Sequence, residues 1–203
     1  MVYTKFMKRI VLIDGENLMY GLRHLLGSET ARVHRTALDN YDFRGLIDEL
    51  LSDEPPKGII WFGAKLRRYD NSSELLQKSS SAIASQAKFV NHLQKQKIQF
   101  IKVGYLRARE SDACSKCGHQ EWYLVEKGVD VGLAVRLVTE SRKGVEIVVV
   151  SADTDLLPAI KAARVLNAKL MHIGYEHRPI NSLSQATDAT RLITVPLANK
   201  YKV

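Results

Sequence analysis

The sequence predicts an α/β fold: a central, mainly parallel sheet with helices on both faces, carrying one projecting β-hairpin. Short runs of buried-type, often β-branched residues recur along the chain, as in Ile59–Gly63 and Val145–Val150. Stretches with apolar residues at helical spacing separate these runs, which is the pattern of strands joined by crossover helices. Aspartates stand just past apolar runs, and the carboxyl ends of strands are where parallel sheets bind ligands. One domain is expected over residues 1–203, with a hairpin insertion at about 105–125.

Arg9–Ile13 is apolar and β-branched and reads as a buried strand. Asn17–Leu26 places Leu18, Leu22 and Leu25 on one helical face, and Asp42–Leu51 does the same with Phe43, Leu46, Ile47, Leu50 and Leu51. Pro55, Pro56 and Gly58 mark a turn into the strand Ile59–Gly63. Ser72–Gln96 reads as a long polar helix with Leu76, Ile83, Ala87 and Val90 on its inward face, followed by a strand at Ile98–Val103. Tyr105–Arg109 and Glu121–Val125 are strand-like and flank a polar loop, hence the hairpin. A helix at Val129–Thr139, the very apolar strand Val145–Val150, a helix at Thr154–Leu166 and a strand at Lys169–Ile173 complete the pattern. Pro158 falls near the start of its helix, where a missing amide costs least. Beyond Tyr175 the periodicity weakens, with a short helix readable at Ser182–Thr187.

A chain of 203 residues suffices for one well-buried core, and its 45% apolar and 26% charged content is that of a globular domain. No segment approaches the roughly 20 apolar residues of a membrane span. The N-terminus runs from charged residues directly into a strand without a leader pattern, so a cytoplasmic location is expected. The net charge of +8 points to a polyanion partner, most simply nucleic acid, or more blandly to a solvated basic surface. Oligomeric state is left open, a homodimer included.

Asp14 follows the first strand, Asp130 opens a helical pattern, and Asp153 and Asp155 lie between the most apolar strand and a helix. Each alone is explained as a helix cap. Asp153 and Asp155 cannot both be the same cap, and two carboxylates so close repel unless a cation or donors offset them. Together the acids form an expected pocket for a hard divalent cation, which takes oxygen ligands and leaves room for a phosphate. No nucleophile elbow or phosphate-cradling glycine loop is present.

The segments Ile13-Asp14-Gly15-Glu16-Asn17, Glu126-Lys127-Gly128-Val129-Asp130-Val131 and Val150-Ser151-Ala152-Asp153-Thr154-Asp155-Leu156 resemble the motifs of NYN domains of the PIN-like nuclease superfamily, in the bacterial LabA-like branch. The resemblance covers about residues 9–175 and is specific as a set. It implies a PIN-like three-layer α/β/α fold and a ribonuclease that hydrolyses RNA with Mg²⁺ or Mn²⁺. Asp14, Asp130 and Asp153 match the metal-site acids, with Asp155 as a fourth catalytic acid. Asn17 and Ser151 match flanking polar positions, Lys127 stands where a phosphate contact is expected, and with Arg107 and Arg109 these are the expected substrate-binding residues. Such sites often take a further acid from the helix after strand two, where this chain has only Glu74.

Cys114, Cys117 and His119 form half of a zinc knuckle, with two reduced thiols or a disulfide as the competing readings. Arg107, Arg109, Lys116, Trp122 and Tyr123 around that loop suit an arm touching nucleic acid, or ordinary cross-strand packing. Three functions therefore stand at this point: a metal-dependent endoribonuclease, a nucleic-acid-binding regulator with an inactive site, and a phosphohydrolase of small substrates.

Overall fold

In the computed structural model, which describes residues 8–27, 38–70 and 72–202, one seven-stranded sheet runs through the molecule in the order β4-β3-β2-β1-β5-β6-β7. The strands are β1 (Lys8–Asp14), β2 (Gly58–Lys65), β3 (Gln99–Glu110), β4 (Trp122–Lys127), β5 (Val145–Val150), β6 (Lys169–Tyr175) and β7 (Ala189–Ile193). The helices are α1 (Gly15–Leu25), α2 (Phe43–Leu50), α3 (Ser73–Lys95), α4 (Val129–Glu140), α5 (Leu157–Val165), α6 (Asn181–Ala186) and α7 (Val195–Lys200). Every strand pair is parallel except β3–β4. The N-terminal leader reading rests largely on residues 1–7, outside the described residues. No helix among the described residues is long and apolar enough to cross a membrane.

The pleat of β1 shows why the sheet is covered on both sides. Val11 and Ile13 enter one core with Leu18, Leu22, Phe43, Leu46 and Leu93, from α1, α2 and α3. Ile10 and Leu12 enter the other, with Leu133, Leu137, Ile160 and Ala163 from α4 and α5. A strand apolar at every position is one buried on both faces. The result is the three-layer α/β arrangement expected from the sequence.

Differences arise where burial is partial. The hairpin is a continuation of the main sheet: β3 runs unbroken to Glu110 and folds back so that β4 becomes the sheet edge. Gly104 bends the strand at φ +60°, and a Cβ there would lie 2.2 Å from the Lys127 carbonyl oxygen. On α3 the expected inward face is out of phase. Leu75, Ser79 and Leu93 are its buried residues, whereas Ile83 and Ala87 are exposed. A buried serine between buried leucines, with an isoleucine outside, breaks the usual signal. β7 and α7 carry no strong periodicity because the edge strand is only half buried and the helix is short.

At the amino ends of the strands, charge is buried but matched. Arg9 and Glu146 are 3% and 0% exposed and bond through Nε and Oε2 at 2.5 Å. Asp53 bonds Arg9 at 3.1 Å and Arg191 at 3.0 Å, and Lys169 reaches Glu146 at 3.3 Å. The opposite end of the sheet is built differently.

Candidate metal and nucleic-acid site

The chain builds β2, β3 and β4 to one side of β1, then returns to place β5, β6 and β7 on the other. The switch point therefore falls between the carboxyl ends of β1 and β5, where open α/β sheets bind ligands. Register pairs Ile13 with Val150, so Asp14 and Ser151 emerge side by side.

Asp14 is 6% exposed and ends β1. One carboxylate oxygen accepts from the Asn17 amide at 3.2 Å, capping α1. The other accepts from Ser151 Oγ at 2.9 Å. The cap of α1 is thus also bonded to the tip of β5. Ser151 is wholly buried, receives the Asp153 amide at 3.1 Å, and its carbonyl accepts from His172 Nε2 at 2.8 Å. Because a carbonyl only accepts, His172 carries its proton on Nε2, and burial lowers its pKa. Asn17 Oδ1 accepts from the Ala152 amide at 2.9 Å and from the Tyr175 hydroxyl at 3.2 Å. Ser151 and Asn17, expected as substrate contacts, are therefore engaged in tying the tips of β1, β5 and β6 together. Ser151 is buried against Asp14.

Asp130 arrives from the far side. Gly128, at φ +81°, occupies the cap position of α4, so Asp130 lies in the first turn and its carboxylate is not the cap. Asp153 is the cap instead: its Oδ1 accepts the Asp155 amide at 2.9 Å and starts a 3-10 turn at Thr154–Leu156. The Asp155 side chain is exposed and bonds nothing among the described residues, the reverse of the capping role its sequence position suggests.

The electrostatics join these acids. Burial, with Asp130 and Asp153 nearby, raises the Asp14 pKa to about 6 despite its two hydrogen bonds. Asp130 is raised by burial and by Asp153 and Asp155, with Lys127 opposing. Glu126 is raised to about 7, by burial first and then by Glu16, Asp14 and Asp130, with the Ala64 backbone opposing. Among the described residues no ion pair engages Asp14, Glu126, Asp130, Asp153 or Asp155. Charge is matched at one end of the sheet, and among the described residues carboxylates stand without ion pairs at the other.

Glu126 was not among the expected site residues. It stands in the quoted Glu-Lys-Gly segment, but an acid inside a strand pattern reads as a solvent-facing position; only the pairing of β4 onto β3 turns it toward the acids. Glu74, the further acid considered from the sequence, instead pairs with Lys78 at 2.5 Å on α3.

The antiparallel register sorts the hairpin into faces. Tyr105 pairs with Lys127, Arg107 with Val125 and Arg109 with Tyr123, so these share one face. Tyr105, Arg107, Arg109, Tyr123 and Lys127 are exposed there. Arg107 donates to the Tyr105 hydroxyl at 2.9 Å. Trp122 lies on the other face, and its carbonyl accepts from Lys78 at 2.8 Å. The basic face leads through Lys127 to Asp130.

Cys114, Cys117 and His119 lie at the exposed hairpin tip. The Cys114 amide donates to the His119 carbonyl at 2.9 Å, and the Gly118 amide to the Cys114 carbonyl at 2.7 Å. Backbone amides of Lys116 and Cys117 lower the Cys114 thiol pKa. His119 Nε2 faces Glu121 at 3.6 Å. Among the described residues no three metal-binding side chains, here or at the acids, converge closely enough to hold one ion as they stand.

A family model for the NYN domain matches residues 8–194. No curated protein matches the sequence significantly. Among solved structures, a protein of unknown function, VPA0982 from Vibrio parahaemolyticus RIMD 2210633, superposes with a TM-score of 0.59 at 18% identity, covering 95% of this chain and 96% of that one. That likeness concerns the fold. A structure described as the basis for the mechanism and regulation of Sir2 enzymes reaches a TM-score of 0.46 at 12% identity, covering 97% and 91%, too low for any argument. With its sheet, its strand-end acids and a family model spanning nearly all of the described residues, the chain belongs to the NYN domain family of PIN-like nucleases.

Proposed function

We propose that the protein is a divalent-metal-dependent endoribonuclease. The observation that carries this reading is the group of unmatched carboxylates at the switch point, with Asp14 held near pKa 6 in a protein that matches its other buried charges. The donors are all carboxylate oxygens, the set that Mg²⁺ or Mn²⁺ takes. Mg²⁺ binds through one or two carboxylates and keeps several waters, so it does not need three protein carboxylates in direct contact. Asp14, Asp130 and Asp153 would hold the ion, with Asp155 at the rim. When bound, such an ion supplies an activated water and offsets charge on the phosphoryl oxygens.

The protein's own groups do the rest. Ser151 and Asn17 fix the Asp14 carboxylate and the β5 tip. Lys127, Arg107 and Arg109 engage phosphates along the hairpin face, where Tyr105 and Tyr123 offer rings to unpaired bases. Glu126, with a pKa of about 7 in the metal-free protein, is suited to hold a proton on its carboxylate near neutral pH. The net charge of +8 favours a polymeric substrate over a small phosphoester.

Labelled single- and double-stranded RNA and DNA, incubated with Mg²⁺, Mn²⁺ or chelator, test the reading. RNA is cut with metal, and Asp153→Asn abolishes cleavage. The reading fails if nothing is cut with either metal while wild type and Asp153→Asn bind RNA equally. The absence of three converging metal donors among the described residues favours a second reading, nucleic-acid binding without turnover, which that same outcome would support.

A further inference from the structure

Beside the acids lies a cavity of about 110 Å³, open on one side, between α1 and α3 and against β2 and β3. From α3 the cavity is lined by Ala82, Ser85 and Gln86, which are small or polar, and by Phe89. The walls are rings: Trp61, Phe89 and Phe100, with Trp61 and Phe89 edge-on at 5.2 Å between centroids. An engineered apolar cavity of about 150 Å³ takes benzene, so this volume suits one flat ring rather than a peptide or a lipid chain.

Charged residues also line the cavity, Glu16 and Arg23 from α1, Glu126 from β4, and Asp39, while Trp61 and Gln86 supply neutral polar groups among the rings. Trp61 is 2% exposed, and among the described residues its indole N–H has no hydrogen-bond acceptor. The indole nitrogen lies against Gly15, within 2.1 Å of where a Cβ would stand, so the donor faces the turn that follows Asp14. Gln86 Nε2 donates to the Ala64 carbonyl at 2.9 Å, leaving its Oε1 as an acceptor on the cavity wall. Glu126 belongs both to the cavity lining and to the acid group.

We infer that this cavity receives one unpaired nucleobase of the RNA strand, adjacent to the phosphate held at the acids. A flat heteroaromatic ring with both N–H and acceptor edges is the ligand that suits aromatic walls, the Trp61 N–H and the Gln86 Oε1, with charged residues elsewhere in the lining. Continuity with the acids through Glu126 sets the base beside the site of cleavage. Duplex RNA, whose bases are stacked and paired, cannot insert one without unpairing it. The inference rests on the nuclease reading, and it makes the substrate single-stranded.

The sequence holds two tryptophans, Trp61 and Trp122, so a Trp122→Phe protein reports on the cavity through Trp61 fluorescence alone. Adenosine, cytidine, guanosine and uridine 5′-monophosphates are titrated in chelator, with ribose 5-phosphate as the base-free control. At least one nucleotide quenches saturably, and ribose 5-phosphate does not. Ala82→Phe, which fills the cavity from a partly exposed helix position, weakens the quench tenfold or more. It also lowers kcat/KM on single-stranded RNA by a similar factor. Asp153→Asn retains the quench and loses cleavage. If Ala82→Phe loses its far-UV circular dichroism, Gln86→Leu replaces it with the same expected weakening. No quench by any nucleotide, or a quench that neither variant weakens, overturns the inference and leaves the nuclease reading standing. A quench in a protein that cuts nothing with either metal keeps the cavity as a base site and removes the nuclease reading.

Discussion

Replacing Asp14 by Asn should make the metal-free protein more stable while abolishing cleavage. The buried Asp14 carboxyl has its pKa raised from 3.8 to about 6, mainly by burial. Between those values the folded chain retains a proton that the unfolded chain has released, so the wild-type fold loses stability as pH rises through that window. At about 1.4 kcal/mol per tenfold change, the ionised carboxylate costs the fold about 3 kcal/mol at neutral pH. Asn carries no charge. It keeps an oxygen for the Asn17 amide but turns an amide toward Ser151 Oγ, leaving that buried hydroxyl without its acceptor, at roughly 1–2 kcal/mol. The net gain is about 1–2 kcal/mol, or about 3–6 °C in Tm for a domain of this size. Calorimetry in chelator at pH 7.5 measures it. At pH 3.5 wild-type Asp14 is largely protonated in both states, so the gain should give way to the roughly 1–2 kcal/mol loss at Ser151. An Asn variant that melts below wild type at pH 7.5, or gains equally at both pH values, refutes the argument that unmatched charge strains this end of the sheet.

Other perturbations follow from the same contrast between the ends of the sheet. The wild-type Tm in chelator should fall between pH 5 and 8 as Asp14 and Glu126 ionise, and Mg²⁺ should restore more of it at pH 8 than at pH 5; equal rescue at both would disconnect the metal from these carboxylates. Arg9→Met should cost about 3–5 kcal/mol in urea unfolding, because it strands the fully buried Glu146 with only Lys169 nearby, and a loss under about 1 kcal/mol would show that Lys169 suffices. Lys127→Ala should weaken RNA binding at every sequence alike and reduce the salt slope by about one, and an unchanged slope places Lys127 off the phosphate path. Gly104→Ala should cost more than the roughly 1–2 kcal/mol of a left-handed backbone alone, since its Cβ would also meet the Lys127 carbonyl; a smaller loss in urea unfolding would mean that β3 straightens without Gly104.

The parallel sheet was readable because strands buried on both faces leave an unmistakable apolar run, as Ile147–Val150 does. Partial burial is where legibility ended. α3 turns Ser79, Ala82 and Gln86 inward among Leu75, Phe89 and Leu93, while Leu76 is half-buried and Ile83 exposed, so a hydrophobic pattern reads the helix out of phase. The acids obey the same logic. Asp14, Asp130 and Asp153 stand out in sequence because a carboxylate after an apolar run is anomalous, and the anomaly is visible without knowing the topology. Glu126 follows Val125 in a half-exposed edge strand, where an acid is unremarked. Its unusual position exists only once β4 has folded antiparallel onto β3 and brought residue 126 opposite Leu106, on the face that includes the cavity. Ser151 marks the opposite limit. Its type and place in the motif suggest contact with substrate, yet complete burial makes it the link between Asp14 and the Asp153 amide. A residue that touches substrate and one that holds its neighbour in place can share a sequence signature, and burial separates them. Replacing Ser151 by Ala should therefore act through the pH dependence of Asp14, shifting the cleavage profile upward as the carboxylate loses a donor. A Ser151→Ala protein with an unshifted profile and a raised KM would return Ser151 to the substrate.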